Sequence, residues 1–410
     1  MQFRGNIHPA SPSALAGKSQ RITTCGELRT MTGKRSPDII VIGAGAFGMW
    51  SALAAAERGA SVRLIDMREV GNQRASSGGA SRNIRAAYGE DAFYTRLAIE
   101  AWTAWQERGA DFSQRLLFLS GALRSGDPAL LEAQARTFAA CGQPCEMLDG
   151  AEVLRRWPQL DYAPDEKLFY EPLAGVVLAG EALQLAAVRL RALGGLIERG
   201  RISVGAQGDA PALLLDGRRL EADRIIIAPG PWLPRLFPAL IGPLMRTPRR
   251  ELFFFAAPPG DMRFTCEHLP CLADFDGWTS SDIGGGLKVA PRMRNTPLDP
   301  DSDPGPPNQP MAEAARNYLA KRIPALADAP IVSTYVGLLE NTANEHFIID
   351  AHPDNPRLII AGGGSGHAFK FGPVLGTRIA EFALSGHLPD EWRARFALGS
   401  HRPVRAGEAG

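Results

Sequence analysis

The chain has 410 residues, with 45 Lys and Arg against 44 Asp and Glu and a net charge of +1. That length allows two domains or one large one with ample core, and the balanced charge gives no global attraction to nucleic acid or a membrane surface. Five cysteines, Cys25, Cys141, Cys145, Cys266 and Cys271, lack CxxC spacing and an adjacent histidine cluster, so they read as thiols of a reducing cytoplasm and not as metal ligands.

Residues 1–36 are polar, mixed in charge and without a continuous signal-peptide core, and read as a flexible extension in which Met31 is an alternative start. No apolar run approaches the roughly 20 residues that span a bilayer. The stretch 38–66 is the most informative. Aliphatics at 39–42 predict a strand ending in Gly43-Ala44-Gly45-Ala46-Phe47-Gly48; an alanine-rich helix runs to Gly59, and a second apolar strand closes on Asp66. Gly43 permits a tight turn, Gly45 lets the backbone approach a pyrophosphate, and Gly48 lets the helix pack against the sheet. The helix N-terminus, at Ala46 and Phe47, offers N–H groups to the phosphates. Asp66 stands where an acid accepts the adenosine ribose hydroxyls, and its charge disfavours the 2′-phosphate of NADP.

A loop of small residues at 72–81, ending in Ser81, leads to Arg82 and Arg85. Helices are predicted at 92–108, 128–141 and 150–156, strands at 169–170 and 176–178, a helix at 181–193, and strands at 213–215 and 224–228 before Pro229-Gly230-Pro231-Trp232. From 245 to 290 the pattern turns to β, with Lys288 between Leu287 and Val289. A proline- and aspartate-rich loop at 294–310 reads as a mobile surface segment, and a helix follows at 311–322. Strands at 347–350 and 358–361 lead into a second glycine turn, Gly362-Gly363-Gly364-Ser365-Gly366, and a helix at 373–385. Two glycine-rich strand-to-helix turns so far apart predict a discontinuous cofactor domain.

Four separated segments, VIGAGAFGMWSAL, SRNIRAAYGED, GGGLKVAP and EHFIIDAHPDNPRLIIAGGGSGHAFKFGPVLG, together resemble the FAD-dependent amine oxidases of the D-amino-acid oxidase group, most closely the monomeric sarcosine oxidase and N-methyltryptophan oxidase branch. The resemblance covers about residues 37–397. It implies an α/β fold: a glutathione-reductase-type FAD-binding domain (37–90, 165–235 and 338–398) interleaved with a mixed or antiparallel-sheet substrate domain (91–164 and 236–337), followed by a flexible tail at 399–410. It also implies oxidation of a small carboxylate-bearing amine, an N-alkyl amino acid or an amino acid, with hydride passing to FAD, an imine formed and O2 reduced to H2O2.

Residue by residue, the resemblance places Arg82 against the flavin with Ser81 beside it. It makes Arg85 and Lys370 the pair that holds the substrate carboxylate, and Lys288 the lysine at which oxygen is reduced. Gly364, Ser365, Gly366, His367 and Lys370 match the loop at the flavin's pyrimidine edge, Gly230 and Trp232 the turn that returns to the cofactor, and Ile202 an adenine-contacting position. The departures are specific. The family's attachment cysteine falls on Gly337, so FAD is expected without a covalent link. A pocket tyrosine falls on Leu339, a pocket histidine on Arg292, and another histidine on Gly78. Sarcosine itself is therefore not the expected substrate, and Arg292 is a candidate partner for a second acidic group on it. Two other readings stay open: a flavin dehydrogenase that passes electrons to a quinone or carrier, and a non-catalytic FAD-binding subunit.

Overall fold

The computed structural model describes residues 37–405 apart from 208–209 and 293–295; the expected extension at 1–36 and the last five residues of the tail lie outside the described residues. Ile39–Ile42 is buried on both faces, as a central parallel strand must be. It pairs in parallel with Val62–Asp66 and with Arg224–Ile227. Leu196–Arg199 extends one side and Asn355–Gly362 the other, and Ile348–His352 closes that edge as the single antiparallel member of a six-stranded sheet.

The helix Ala46–Glu57 is buried on every face from Ala46 to Ala56. It lies against the sheet and is covered by the helices Ala179–Ala192 and Gly372–Ser385. Two glycines one turn apart permit the second of these contacts. A Cβ at Gly376 would stand 2.3 Å from the Trp50 carbonyl carbon, and one at Gly372 would stand 2.5 Å from Trp50 Cδ1. The helix Ala92–Asp111, capped by the Asp91 carboxylate, sends Phe93, Leu97, Ala101 and Trp105 into this same core. Trp105 meets Trp50 edge-on with ring centroids 5.3 Å apart. That helix was expected with the second domain, yet its apolar face packs on the helix layer of the parallel sheet.

A four-stranded antiparallel sheet orders Gly277–Ser280, Leu287–Pro291, Arg249–Phe255 and Ile331–Leu338. One face buries Phe253, Phe255, Leu287 and Val289 against Met311, Ala315 and Leu319 of the helix Gln309–Arg322. Strand alternation then puts Phe254, Lys288, Ser280, Leu252 and Tyr335 on the opposite face, since Lys288 pairs with both Phe254 and Ser280, and Leu252 with Tyr335. Two smaller sheets join strands from both sets of expected domain segments, such as Ala122–Ser125 with Lys167–Glu171, and Leu117–Leu119 with Gly175–Val177. Arg322 ties one of them to the helix layer through Glu166 at 2.7 Å and Asp274 at 3.1 Å.

Two expectations need correction. The segment expected to be mobile is fastened where described. Thr247 and Leu298 exchange hydrogen bonds of 2.8 and 2.9 Å, Arg249 donates to the Pro304 and Pro306 carbonyls, and Asp301 pairs with Arg201 and Arg235. Nor is the tail free from 399 onward. Val404 is buried and its backbone is held by Pro243 and Arg246 at 2.9 and 3.0 Å, partners far back in the sequence that composition alone does not reveal. The four described cysteines are free, and no described helix is long and apolar enough to cross a membrane.

Gly376→Ala forces a methyl into the Trp50 backbone. Overpacking of this kind costs about 1–3 kcal/mol, read as a lower urea midpoint; an unchanged midpoint would show that the two helices separate without cost.

Candidate cofactor and active site

The first glycine turn opens on a cavity of about 550 Å³. Gly43 adopts φ +97°, and a Cβ there would stand 2.2 Å from the Ala228 carbonyl oxygen; one at Gly48 would stand 1.8 Å from the Gly43 oxygen. Both glycines are thus dictated by packing. Gly45 differs, because its Cβ would meet only Ser77, at 3.2 Å for Oγ. Ser77 Oγ accepts from the Ala46 N–H at 2.9 Å, so the helix N-terminus already holds one oxygen ligand. Asp66 accepts from Ala44 N at 2.7 Å and Arg68 N at 2.8 Å, and burial raises its pKa against the pull of those two donors. Ala46, Phe47, Ile202, Gly230 and Trp232 line the same cavity, and Trp232 Nε1 donates to Asp301 at 2.9 Å.

Three lining residues carry buried polar atoms with no protein partner: Arg68 Nε, Ser76 Oγ and a carboxyl oxygen of Glu340. Buried orphans of this kind call for a ligand. A helix N-terminus, a carboxylate at the neighbouring strand end and a mainly apolar cavity with a few unpartnered polar atoms suit a dinucleotide such as FAD, so the residues present fit that group.

Beyond the cavity the expected site residues fall into two clusters. In the first, Lys288 Nζ donates to Ser81 O at 2.8 Å and Ser81 Oγ at 2.5 Å. The Arg82 guanidinium donates to Ser81 O at 2.7 Å and Ser76 O at 2.8 Å, and lies 5.6 Å from the Phe369 ring centre. Burial, with the Arg82 charge beside it, pushes Lys288 down to about 7. The lysine therefore points inward, and alternation toward solvent is not its fate.

In the second cluster, Lys370 Nζ and the Arg85 guanidinium stand 4.5 and 5.6 Å from the centre of the Tyr88 ring. Arg85 donates to Ala87 O at 2.6 Å. Lys370 is 4% exposed, and its ammonium has no acceptor or ion pair among the described residues; burial and the Arg85 charge hold its pKa well down. Its backbone is fixed by Trp105 Nε1, which donates to the Lys370 carbonyl at 2.6 Å. His367 lies between Tyr88 Oη and Glu345 O, each at 2.9 Å. A carbonyl can only accept, so Nε2 carries the proton and Nδ1 accepts from the tyrosine. Burial lowers its pKa to about 3, which makes it a neutral brace. Gly364 and Gly366 belong to the same turn. A Cβ at Gly364 would stand 3.0 Å from Glu340 Oε1 and 3.5 Å from Phe47 Cε2, and one at Gly366 (φ +73°) would stand 3.8 Å from Leu339.

Several residues escaped the sequence reading. Glu171, buried with its pKa raised by desolvation, accepts from Ala86 N at 2.5 Å and Ala87 N at 3.3 Å and so braces the Arg85 segment. Arg124 and Arg250 are pushed down to about 10 by burial and by like charges, Arg85 and Arg292 acting on Arg124, and Arg292 on Arg250. Arg250 makes no hydrogen bond or ion pair among the described residues and lies 6.0 Å from the centre of the Trp278 ring, which Lys288 Nζ also approaches at 6.0 Å. Arg292 is exposed at the end of its strand, with its guanidinium 5.8 Å from the Phe275 ring centre. Both glycines that stand where the family has side chains lie close to Tyr335, though at Gly78 the Asn72 carbonyl is nearer still, at 2.7 Å from a Cβ. A Cβ at Gly337 would fall 2.5 Å from the Tyr335 ring, and one at Gly78 would fall 2.9 Å from Tyr335 Oη; that hydroxyl is anchored on Ala75 O at 3.0 Å.

The fold and the cavity define a flavoprotein oxidoreductase. Residues 38–382 match the FAD dependent oxidoreductase (DAO) family, and the chain belongs to it. It is 30% identical to the monomeric sarcosine oxidase of Streptomyces avermitilis, over 85% of this chain and 94% of that protein. To the N-methyl-L-tryptophan oxidase of Salmonella heidelberg (strain SL476) it is 27% identical, again over 85% of this chain and 94% of the relative. Among solved structures, the L-proline dehydrogenase of P. horikoshii superposes with a TM-score of 0.77 at 18% identity, covering 88% of this chain and 96% of that one.

With Tyr335 standing where a thiol at position 337 would have to be, acid precipitation is expected to leave the FAD in the yellow supernatant. Flavin that stays with the protein on a denaturing gel would contradict this.

Proposed function

We propose that the protein oxidises a small amine bearing a carboxylate, an N-alkyl amino acid or an amino acid, and reduces O2 to H2O2. The observation that carries this reading is the buried Lys370 ammonium, which shares the Tyr88 ring with Arg85 and makes no ion pair among the described residues, the Glu171 carboxylate acting on it only from a distance. A buried cation left unpaired costs several kcal/mol, and a substrate carboxylate is the group that would relieve it. Relatives named as oxidases of sarcosine and of N-methyl-L-tryptophan, both N-methyl amino acids, support the same substrate class.

The cofactor part would comprise 37–90, 165–235 and 338–398, interleaved with a substrate part. All six strands of the largest sheet fall within the first set of segments. Gly45, Ala46, Asp66, Ile202, Gly230 and Trp232 would hold the dinucleotide, with Ser81, Arg82, Gly364, Gly366 and His367 around the ring system. When bound, FAD supplies the two-electron oxidation of the amine and passes those electrons to O2.

The chain's own residues supply position and charge. Arg85 and Lys370 clamp the carboxylate and fix the orientation of the neighbouring C–H bond. Their charges also lower the pKa of the substrate ammonium, favouring the neutral amine that must react. The amine leaves as an imine, which water hydrolyses. Lys288 places a cation where negative charge develops on oxygen, and its seat on Ser81 beside Arg82 favours an oxidase over a dehydrogenase that uses another acceptor. Arg292, with Arg124 and Arg250, extends the positive field toward a second acidic group on the substrate.

Lys288→Met is expected to leave substrate oxidation near wild type and slow the reaction with oxygen by about 100- to 1,000-fold, the usual loss when one preorganised charge-stabilising donor is removed. Stopped-flow measurement of the two half-reactions decides it; an unchanged oxygen rate constant removes Lys288 from this role. Replacing Arg85 or Lys370 should lower kcat/KM for carboxylated amines by roughly 10- to 150-fold, from the 1.5–3 kcal/mol of a charged hydrogen bond, while amines without a carboxylate lose little. Arg85→Lys should rescue only in part, because an ammonium lacks the planar fork that grips two oxygens. Equal losses for both substrate types would assign these residues to the fold or the flavin.

A further inference from the structure

Glu340 follows the strand Ile331–Leu338 and is 5% exposed. Its Oε2 is sealed from solvent and has no hydrogen-bond partner among the described residues. The N–H groups of Gly363 and Gly364 act on the carboxyl and favour its charged form. Its backbone is fixed, since Glu340 O accepts from Ser365 N at 2.9 Å. A fixed, buried carboxyl oxygen without a partner is costly, and this residue lines the cofactor cavity.

Its place in that cavity narrows what it can meet. On one side is Gly230, whose Cβ would stand 3.9 Å from Oε2; on the other is Gly364, whose Cβ would stand 3.0 Å from Oε1 and 3.5 Å from the Phe47 ring edge. Glu340 thus stands between the helix N-terminus that faces the phosphates and the second glycine turn. A carboxylate repels a phosphate, and the carbonyl oxygens of a flavin ring are acceptors as it is. The hydroxyl-bearing polyol chain that joins FAD's pyrophosphate to its ring offers donors. We propose that Glu340 is a cofactor-positioning residue whose carboxylate accepts a hydrogen bond from a hydroxyl of that chain.

The consequence is a pH-dependent grip. Burial pushes the Glu340 carboxyl up to about 7. No charged side chain acts on it. The second glycine turn presents N–H groups, while the Gly230 segment and Phe47 present no titratable group. Of the cavity's other charges, Asp66 is engaged by backbone N–H groups and Arg201 and Arg235 by Asp301. Arg68 also lines the cavity with an unpartnered Nε, and its charge acts on Asp66 and not on Glu340. A hydroxyl donor favours the ionised acid, so FAD binding should expel a proton and tighten as pH rises from about 6 to 8. Stability of the FAD-free protein runs the other way. The folded-state pKa lies above the ordinary carboxylate value, so this group's contribution is full below that value and is lost as pH rises through about 7.

The test is the dissociation constant of FAD from the FAD-free protein, measured by flavin fluorescence from pH 6 to 8 for wild type, Glu340→Gln and Glu340→Ala. Wild type should tighten with pH. Glu340→Gln should be flat by comparison, and at pH 8 both variants should bind roughly 10- to 150-fold more weakly, the range for a charged hydrogen bond. FAD-free Glu340→Gln should be at least as stable as wild type at pH 8, which a merely structural role would not give. Lys288 titrates in the same window but is common to all three proteins, so the difference between them isolates Glu340. A calorimetric proton count for FAD binding in Lys288→Met protein keeps the question answerable if both Glu340 variants misfold: release supports the assignment, and no release overturns it. Equal pH slopes in wild type and Glu340→Gln, or an unchanged constant in Glu340→Ala, also overturn it.

Discussion

The enclosure of one helix governs this structure. Ala46–Glu57 exposes no polar face from Ala46 to Ala56, so the glycine turn that precedes it cannot stand on a local βαβ unit. Something must cover Trp50, and the helix that does so is Gly372–Ser385, whose two glycines admit the indole. The chain therefore has to return more than 300 residues later. The return brings the second glycine turn beside the first, sets Glu340 between them, and fixes the Lys370 carbonyl on Trp105. The second glycine turn and Lys370 are thus positioned by an apolar contact.

Charge is distributed around the site in an unbalanced way that packing alone does not explain. Lys288 and Arg250 both approach the Trp278 ring, and the Arg85 charge acts on both Lys370 and Arg124. The nearby acid, Glu171, is occupied by the Ala86 and Ala87 N–H groups. Burial lowers the pKa of Lys288 and of Lys370, and a folded pKa below the unfolded value means that such groups destabilise the fold as pH falls through it. The fold tolerates this because each ammonium has a local device: Lys288 has the two oxygens of Ser81, and Lys370 has the Tyr88 face. Neither device neutralises the charge, so the site stays ready for an anion or for charge that develops during a reaction.

How much of this was legible in the sequence depended on whether the signal was local. The strand, turn and helix at 39–57 follow from residues that touch their own neighbours, and Asp66 follows from a fixed spacing; of these, Gly43, Gly45, Ala46, Phe47 and Asp66 line the cavity, while Gly48 does not. Lys288 and Lys370 needed the family resemblance, because a lysine on a strand and a lysine after a turn carry no inward signal of their own. Arg124, Arg250 and Glu171 were missed because their significance lies in neighbours distant in sequence: Arg85 and Arg292 for Arg124, Trp278 and Arg292 for Arg250, and the Ala86 and Ala87 N–H groups for Glu171. Glu340 was missed although it stands between Leu339 and the Asn341–Thr342 pair, within a stretch already singled out; an acid where nearby positions are apolar or small was the available signal. The loop around Asp301 was misread because prolines and aspartates mark a surface segment whether or not its carbonyls are claimed by Arg74 and Arg249.

Tyr335 connects the departures from the sarcosine oxidase pattern. Its ring fills the space that a side chain at Gly337 would require, and its hydroxyl is spent on Ala75. Position 78 is closed by the Asn72 carbonyl as well as by that hydroxyl, so one aromatic residue takes the room of the thiol and only part of the room of the imidazole. A cofactor without a covalent tether must be retained by contacts alone. In the proposed reading this cavity would supply them from the N–H groups of the first helix, from Asp66, and from polar atoms of Arg68, Ser76 and Glu340 that have no other partner among the described residues. A ligand that engaged those atoms would stabilise the folded chain, so the grip on FAD and the stability of the fold would be coupled through them.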